Sequence, residues 1–224
     1  MLRAAGWGAV VALVLLAVGA ALVLTGVIDI DPRPKVPERL LVVATAPDDE
    51  GTEVAAVAFV IEAGAEAPVI LDVDATVTVP GTSARNARNA FPFGGGDAVS
   101  AALDSQTGER LDWIVVPWPQ WSESVDAQSG VQIEVPERVT AYRDGRLIVV
   151  EEGAQRLEAA EVVALATAAP FVAEGSREAL SRSLGSALSG LLVADPDELV
   201  EAVATGRVDS SLPAESIEAF LGGP

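Results

Sequence analysis

Residues Leu40–Gly81 read LLVVATAPDDEGTEVAAVAFVIEAGAEAPVILDVDATVTVPG, and three apolar runs in this stretch decide the fold class. Leu40–Thr45 and Val54–Ile61 are almost wholly apolar and rich in β-branched residues, as in strands covered on both faces. Between them lies an acidic loop, Ala46–Thr52. A third strand is predicted over Pro68–Val79, alternating at its end and broken by Pro80-Gly81. Beyond it, Thr82–Gly96 has no periodicity and reads as a long loop with two arginines and three successive glycines.

Downstream, helical and strand patterns interleave. Asp97 is expected to cap a helix with Val99, Ala102 and Leu103 on one face. Asp112–Pro117 is a strand pattern. Gln120–Ser129 is a short helix with Trp121 and Val125 on one side, closed by Gly130. Val131–Val135 alternates, and Asp144-Gly145 between TAYR and RLIVV marks a hairpin. Helices are predicted over Gln155–Ala169, ended by Pro170, over Ser176–Val193, from Asp195-Pro196 to Gly206, and over Pro213–Leu221. The expected fold class is α/β, with a mixed central sheet between helical layers.

Composition excludes whole chemistries. The chain has 224 residues with no Cys and no His, so thiol nucleophiles, disulfides, imidazole bases and zinc sites on these ligands are ruled out. Any metal must be a hard cation on carboxylates. Thirty-three acidic residues against 14 basic ones give a net charge of −19, which repels phosphate backbones and argues against a nucleic-acid partner. The plain reading of that charge is solubility.

Residues 4–28 carry no charge, and a helix of about 20 apolar residues crosses the hydrocarbon of a bilayer. Trp7 sits near one end, where indole prefers the interface. A cleaved signal peptide is the rival reading, with small residues at Ala17–Ala21 to admit cleavage. Its apolar core is ordinarily about 7–15 residues, shorter than this run. Flanking charge does not set the orientation here. Long domains translocate largely regardless of it, so the domain is expected outside the membrane. The expected organisation is a cytoplasmic start over 1–3, a transmembrane helix over 4–28, a proline-rich linker over 29–39, and an extracytoplasmic domain over 40–224. The expected localisation is thus the cell membrane, as a single-pass protein.

The order of these pieces resembles the LytR-CpsA-Psr (LCP) family of cell-envelope proteins. LLVVATAPDDEGTEVAAVAFV takes the place of the family's first strand, acidic turn and second strand, with Glu53 where the family has Asp. Leu71-Asp-Val-Asp-Ala-Thr-Val-Thr-Val-Pro-Gly81 takes the place of a Ser-Ile-Pro-Arg-Asp-Thr element and its Pro-Gly turn. There Asp74 falls on the family's Asp, and Val73 replaces its Arg. Ala87-Arg-Asn-Ala-Phe-Pro-Phe-Gly-Gly95 is similar to a Lys-Ile-Asn-Ala loop with paired glycines. A Tyr-x-Arg-x-Arg element would fall on the helix ending at Ala169, but Thr167 and Ala169 stand where its arginines should be.

The resemblance implies an α/β/α domain and a phosphotransferase. Such an enzyme moves an anionic glycopolymer from a polyprenyl pyrophosphate carrier to peptidoglycan, with Mg²⁺ on Asp carboxylates and the lipid in an apolar tunnel. It also implies arginines on the pyrophosphate, since guanidinium forks stabilise a developing phosphate charge bidentately. On these terms Glu53 and Asp74 are the candidate Mg²⁺ ligands, and Arg85 and Arg88 the candidate replacement clamp. The plainer readings are solvent-facing strand-end carboxylates and ordinary loop charge. Trp113, Trp118 and Trp121 are either a sugar-stacking group or packing.

Two functions follow. One is a catalytically degenerate binding or scaffold protein of envelope assembly, with no cofactor, a protein partner and a polyprenyl-type lipid among its expected ligands. The other is a divergent phosphotransferase. The loss of the three motif arginines favours the first. Small Ala and Val side chains between strands and helix predict an elongated apolar pocket opening near Ala46–Thr52.

Overall fold

The computed structural model describes residues 36–65, 67–143 and 145–222. The expected membrane span over 4–28 lies outside them. Among the described residues no helix is long and apolar enough to cross a membrane.

Five strands form the main sheet in the order β3-β2-β1-β4-β9. They are β1 (Arg39–Pro47), β2 (Glu53–Glu62), β3 (Val69–Leu71), β4 (Trp113–Val116) and β9 (Asp209–Ser210). β1 pairs antiparallel with β2 and parallel with β4, so the sheet is mixed as expected. Alternation along β1 divides the core. Leu40, Val42, Ala44 and Ala46 face one buried cluster, and Leu41 and Val43 face the other. Helix α1 (Phe91–Thr107) covers the second face. The first face carries α2 (Trp118–Ala127), α3 (Ala159–Ala168) and α4 (Glu174–Ala194), with α5 (Pro196–Ala204) and α6 (Ala214–Leu221) completing that cluster. Two further antiparallel pairs stand apart from the sheet: β5 (Val131–Val135) with β8 (Gly153–Leu157), and β6 (Val139–Arg143) with β7 (Arg146–Val150).

One irregularity in the β1–β2 pairing matters for the site. Ala44 faces Val57 but Thr45 faces Ala55, which leaves Ala56 as the extra residue of a β-bulge. A bulge unpairs one residue and turns the chain locally. Here it places both Ala56 and Val57 on the α3 side.

The structure corrects several sequence expectations. The third strand ends at Leu71, not Val79. The Asp72 carboxylate accepts the Asp74 backbone N–H at 2.9 Å, folding the chain into a local turn. Gln106 of α1 then brackets the Asp72 peptide groups, accepting from its N–H and donating to its carbonyl, both at 2.9 Å. Val73, Val77 and Val79 still pack into the α1-side cluster, so their alternation reflects burial without a strand.

The helix predicted over Gln155–Ala169 is split. Its first residues form β8, because β5 supplies hydrogen-bond partners along the segment. The helix starts after Glu158, where a reciprocal capping box with Glu161 satisfies two terminal N–H groups.

Asp97 does not cap α1. The chain is already helical at Phe91 and kinks at Gly94 and Gly95, the latter at φ 58°. The Asp97 carboxylate instead accepts from Arg110 at 2.7 Å and from the Trp113 indole at 3.3 Å.

An elongated apolar pocket is expected by the acidic loop; the clefts found there are mixed in lining, with carboxylates and amides beside Val54, Pro170 and Phe171. Ala44, Ala46, Ala56, Phe59, Val162 and Ala166 belong to one buried cluster between the sheet and α3.

Just after the kink, the Trp113 ring lies so close to Gly96 that an added Cβ would sit 2.3 Å from it. Gly96→Ala is therefore expected to lower stability by about 1–3 kcal/mol, the usual range for overpacking a filled core. Urea denaturation of the variant against wild type checks it.

Candidate functional site

The site is built around Arg88, which lies on a short 3₁₀ turn, Arg88–Ala90, just before α1. Its side chain is buried against that of Asp74. The guanidinium grips the carboxylate as a fork, Nε to Oδ1 at 2.7 Å and Nη2 to Oδ2 at 3.0 Å. Such bidentate pairs are the strong, geometrically specific form of the ion pair. The remaining donors reach backbone. Nη2 donates to the Ala56 carbonyl at 3.3 Å, and Nη1 and Nη2 both reach the Ala166 carbonyl at 3.4 Å.

Both carbonyls need a partner for a local reason. Ala56 is the bulged residue of β2, outside the regular ladder. The Ala166 carbonyl would ordinarily accept from the N–H four residues on, but residue 170 is proline and has none. A cation at this helix C-terminus also suits the helix dipole. The backbone carbonyl of Val73 accepts the Arg88 N–H at 2.9 Å, closing the loop on itself.

Over this pair opens a cleft of about 320 Å³. Asp48, Asp49 and Glu50 line one side, Asn86 and Asn89 another, and Thr167, Pro170 and Phe171 a third. Asp48 holds its loop in shape, accepting from the N–H groups of Glu50 at 2.9 Å and Thr52 at 2.8 Å. The Thr167 hydroxyl is spent on the Val163 carbonyl of its own helix at 2.8 Å. Phe171 is 84% exposed. It sits on a 3₁₀ turn, Ala169–Phe171, that ends the α3 segment.

The candidate residues separate. Asp74 and Arg88 meet, as partners of each other. Glu53, at the start of β2, accepts the Thr45 hydroxyl at 2.5 Å and does not line the cleft. Arg85 is exposed, and its carbonyl accepts the Val77 N–H at 2.8 Å. Among the described residues no group of three or more acidic side chains is placed to hold a metal ion. Both Asp74 oxygens already receive charged donors. These residues do not fit the Mg²⁺ that the resemblance implies.

Val73 and Ala169 are buried in apolar surroundings. The tryptophans do not form one platform. Trp121 and Trp118 pack on the α3-side cluster, Trp113 on the opposite one.

A second polar device frames the site. Glu137, in the turn between β5 and β6, accepts the Ser176 hydroxyl at 2.7 Å and the Ala173 N–H at 3.2 Å. It thereby caps α4, which has no cap of its own. These two hydrogen bonds, the hydroxyl's first, hold its carboxyl below the ordinary value, against a weaker opposing effect of burial.

Comparison with solved structures identifies the fold. No protein-family model matches the sequence, and no curated protein does. The chain is similar to Bacillus subtilis TagV, at 15% identity over 83% of this chain and 78% of that one, with a TM-score of 0.56. It is similar to a LytR-Csp2A-Psr enzyme from Actinomyces oris, at 18% identity over 84% and 77%, also at 0.56. A third neighbour is the protein gbs0355 from Streptococcus agalactiae, at 11% identity over 82% and 75%, with a TM-score of 0.57. The architecture is therefore that of the LytR-CpsA-Psr class, mixed sheet and helical layers included.

Two outcomes are expected. Arg88→Lys keeps the charge but cannot reach the carboxylate and both carbonyls together. Arg88→Met leaves Asp74 buried without its partner, which ordinarily costs about 3–5 kcal/mol. Denaturant unfolding should rank wild type above Lys and Lys above Met. For Glu137 the folded state has the lower pKa, so its contribution is complete above the ordinary value of 4.5 and fades as pH falls through the folded one. Glu137→Ala should melt below wild type at pH 7, with the gap narrowing in acid, as thermal scans across pH would record.

Proposed function

We propose that this chain is a membrane-anchored, cell-envelope protein of LCP fold that binds and does not transfer. It acts as a scaffold in envelope assembly, with its domain outside the membrane. Support for the envelope comes from the fold shared with TagV and the Actinomyces oris LytR-Csp2A-Psr enzyme. Support for the anchor comes from the uncharged run over 4–28.

The observation that carries the binding reading is the state of Arg88. Its guanidinium is committed to Asp74 and to the carbonyls of Ala56 and Ala166. A phosphoryl transferase needs guanidinium donors free to follow charge as it develops on the leaving group. Val73, Thr167 and Ala169 supply none, and the carboxylates of Asp48, Asp49 and Glu50 oppose an incoming pyrophosphate. The cleft over Asp74 and Arg88 is the surface that this reading assigns to a partner.

The test is transfer of a glycopolymer from a polyprenyl pyrophosphate carrier to peptidoglycan in the presence of Mg²⁺. Removing one preorganised donor costs about 10²–10³ in rate, so the full chain is expected at background. Mg²⁺-dependent transfer by wild type that disappears in Arg85→Ala would overturn the proposal. Arg85 is the right variant because it is exposed, whereas substituting Arg88 would disturb the fold.

A further inference from the structure

The cleft is unbalanced in charge. Four carboxylates line it, from Asp48, Asp49, Glu50 and Asp74, against the single guanidinium of Arg88, which Asp74 already neutralises. Beside those carboxylates the Phe171 ring stands 84% exposed, held out by its 3₁₀ turn. Across Asp49 and Phe171 lies a second cleft of about 230 Å³, whose rim carries Tyr142, itself 67% exposed. A large apolar ring left in water beside uncompensated carboxylates matches one kind of partner chemistry. A cation on an alkyl stem satisfies the carboxylates with its head and covers the ring with its methylenes.

Resting on the binding reading above, we propose that this surface docks a basic polypeptide segment of a partner protein, seating a lysine or arginine side chain over Phe171 among the carboxylates of the Asp48–Glu50 loop. A polypeptide fits better than a single small amine because the adjoining clefts share Asp49 and Phe171 and make one extended surface. The adjoining cleft also carries Arg138 and Arg143, engaged by Glu151 at 3.5 Å and by the Pro47 carbonyl at 3.1 Å, so the basic side chain is seated at the Asp48–Glu50 end of the surface. At that end the polarity is opposite to that of a pyrophosphate site.

The experiment is calorimetric titration of the full chain with tetralysine, with tetraglutamate and inorganic pyrophosphate as comparators. Tetralysine is expected to bind and the two anions not to, with affinity falling as salt rises. A net charge of −19 attracts any polycation, so location is tested with charge-matched variants. Asp49→Asn/Glu50→Gln should weaken tetralysine by about fivefold, and Glu215→Gln/Glu218→Gln on α6 by less than about twofold, as for screened exposed charges. Phe171→Ala, which changes no charge and no buried contact, should cost about two- to fivefold, the range of an exposed cation–π contact. The inference is overturned if the α6 pair matches the cleft pair, if Phe171→Ala is silent, or if pyrophosphate binds as tightly as tetralysine. Its failure is separable from that of the binding reading, which turnover in the transfer assay would overturn whatever tetralysine does.

Discussion

One buried guanidinium fixes the geometry of everything around the cleft. Arg88 reaches from the 3₁₀ turn before α1 to the turn after β3, to the bulge in β2 and to the C-terminus of α3. Taking an arginine and an aspartate out of water is expensive, and their mutual attraction alone does not reliably offset it. The pair is tolerable here because Nη1 and Nη2 also meet backbone carbonyls, that of the bulged Ala56 and that of Ala166, whose usual donor four residues on is replaced by Pro170. An ammonium could neutralise Asp74 but could not fork across these acceptors, which is why arginine stands at this position.

The same economy shapes the sheet. With so few aromatic residues, the chain fills its interior with Ala, Val and Leu. Thin side chains let a helix approach a sheet closely, and α3 buries Val162, Val163, Leu165 and Ala166 in the cluster on that face. Packing at near-crystalline density removes void wherever neighbours can collapse onto small residues. Small side chains therefore do not by themselves make a tunnel. Whether space remains depends on how near the helix is held, and here Arg88 ties the C-terminus of α3 directly to β2.

The cleft above the ion pair inherits its character from what the pair consumes. Once Arg88 is turned inward, the cleft facing solvent is defined by the Asp48–Glu50 loop and by Phe171. The layers are those of the LytR-CpsA-Psr fold, and the charge at this cleft comes from the side chains of that loop, because a fold sets where a site lies and its residues set the chemistry.

Much of this protein was legible in its sequence. The apolar runs at Leu40 and Val54 gave both central strands. The hairpin expected between TAYR and RLIVV is present, with Arg143 opposite Arg146, though Asp144 itself lies outside the described residues. The leucines at 180, 184, 188 and 191 gave the buried stripe of α4. These features are local, written in periodicity and turn chemistry that each segment carries alone. That positions 73, 167 and 169 hold Val, Thr and Ala is likewise legible, because it is a matter of identity. It did not show that Pro68–Val79 turns at Asp72, since Gln106 supplies the competing hydrogen bonds from 34 residues away. Nor did it show β8, which exists only because β5 lies beside it. Above all it left Arg88 open between a phosphate clamp and ordinary loop charge. A guanidinium's role is set by the acceptors within its reach, and those acceptors, Asp74, Ala56 and Ala166, come together only when the chain folds.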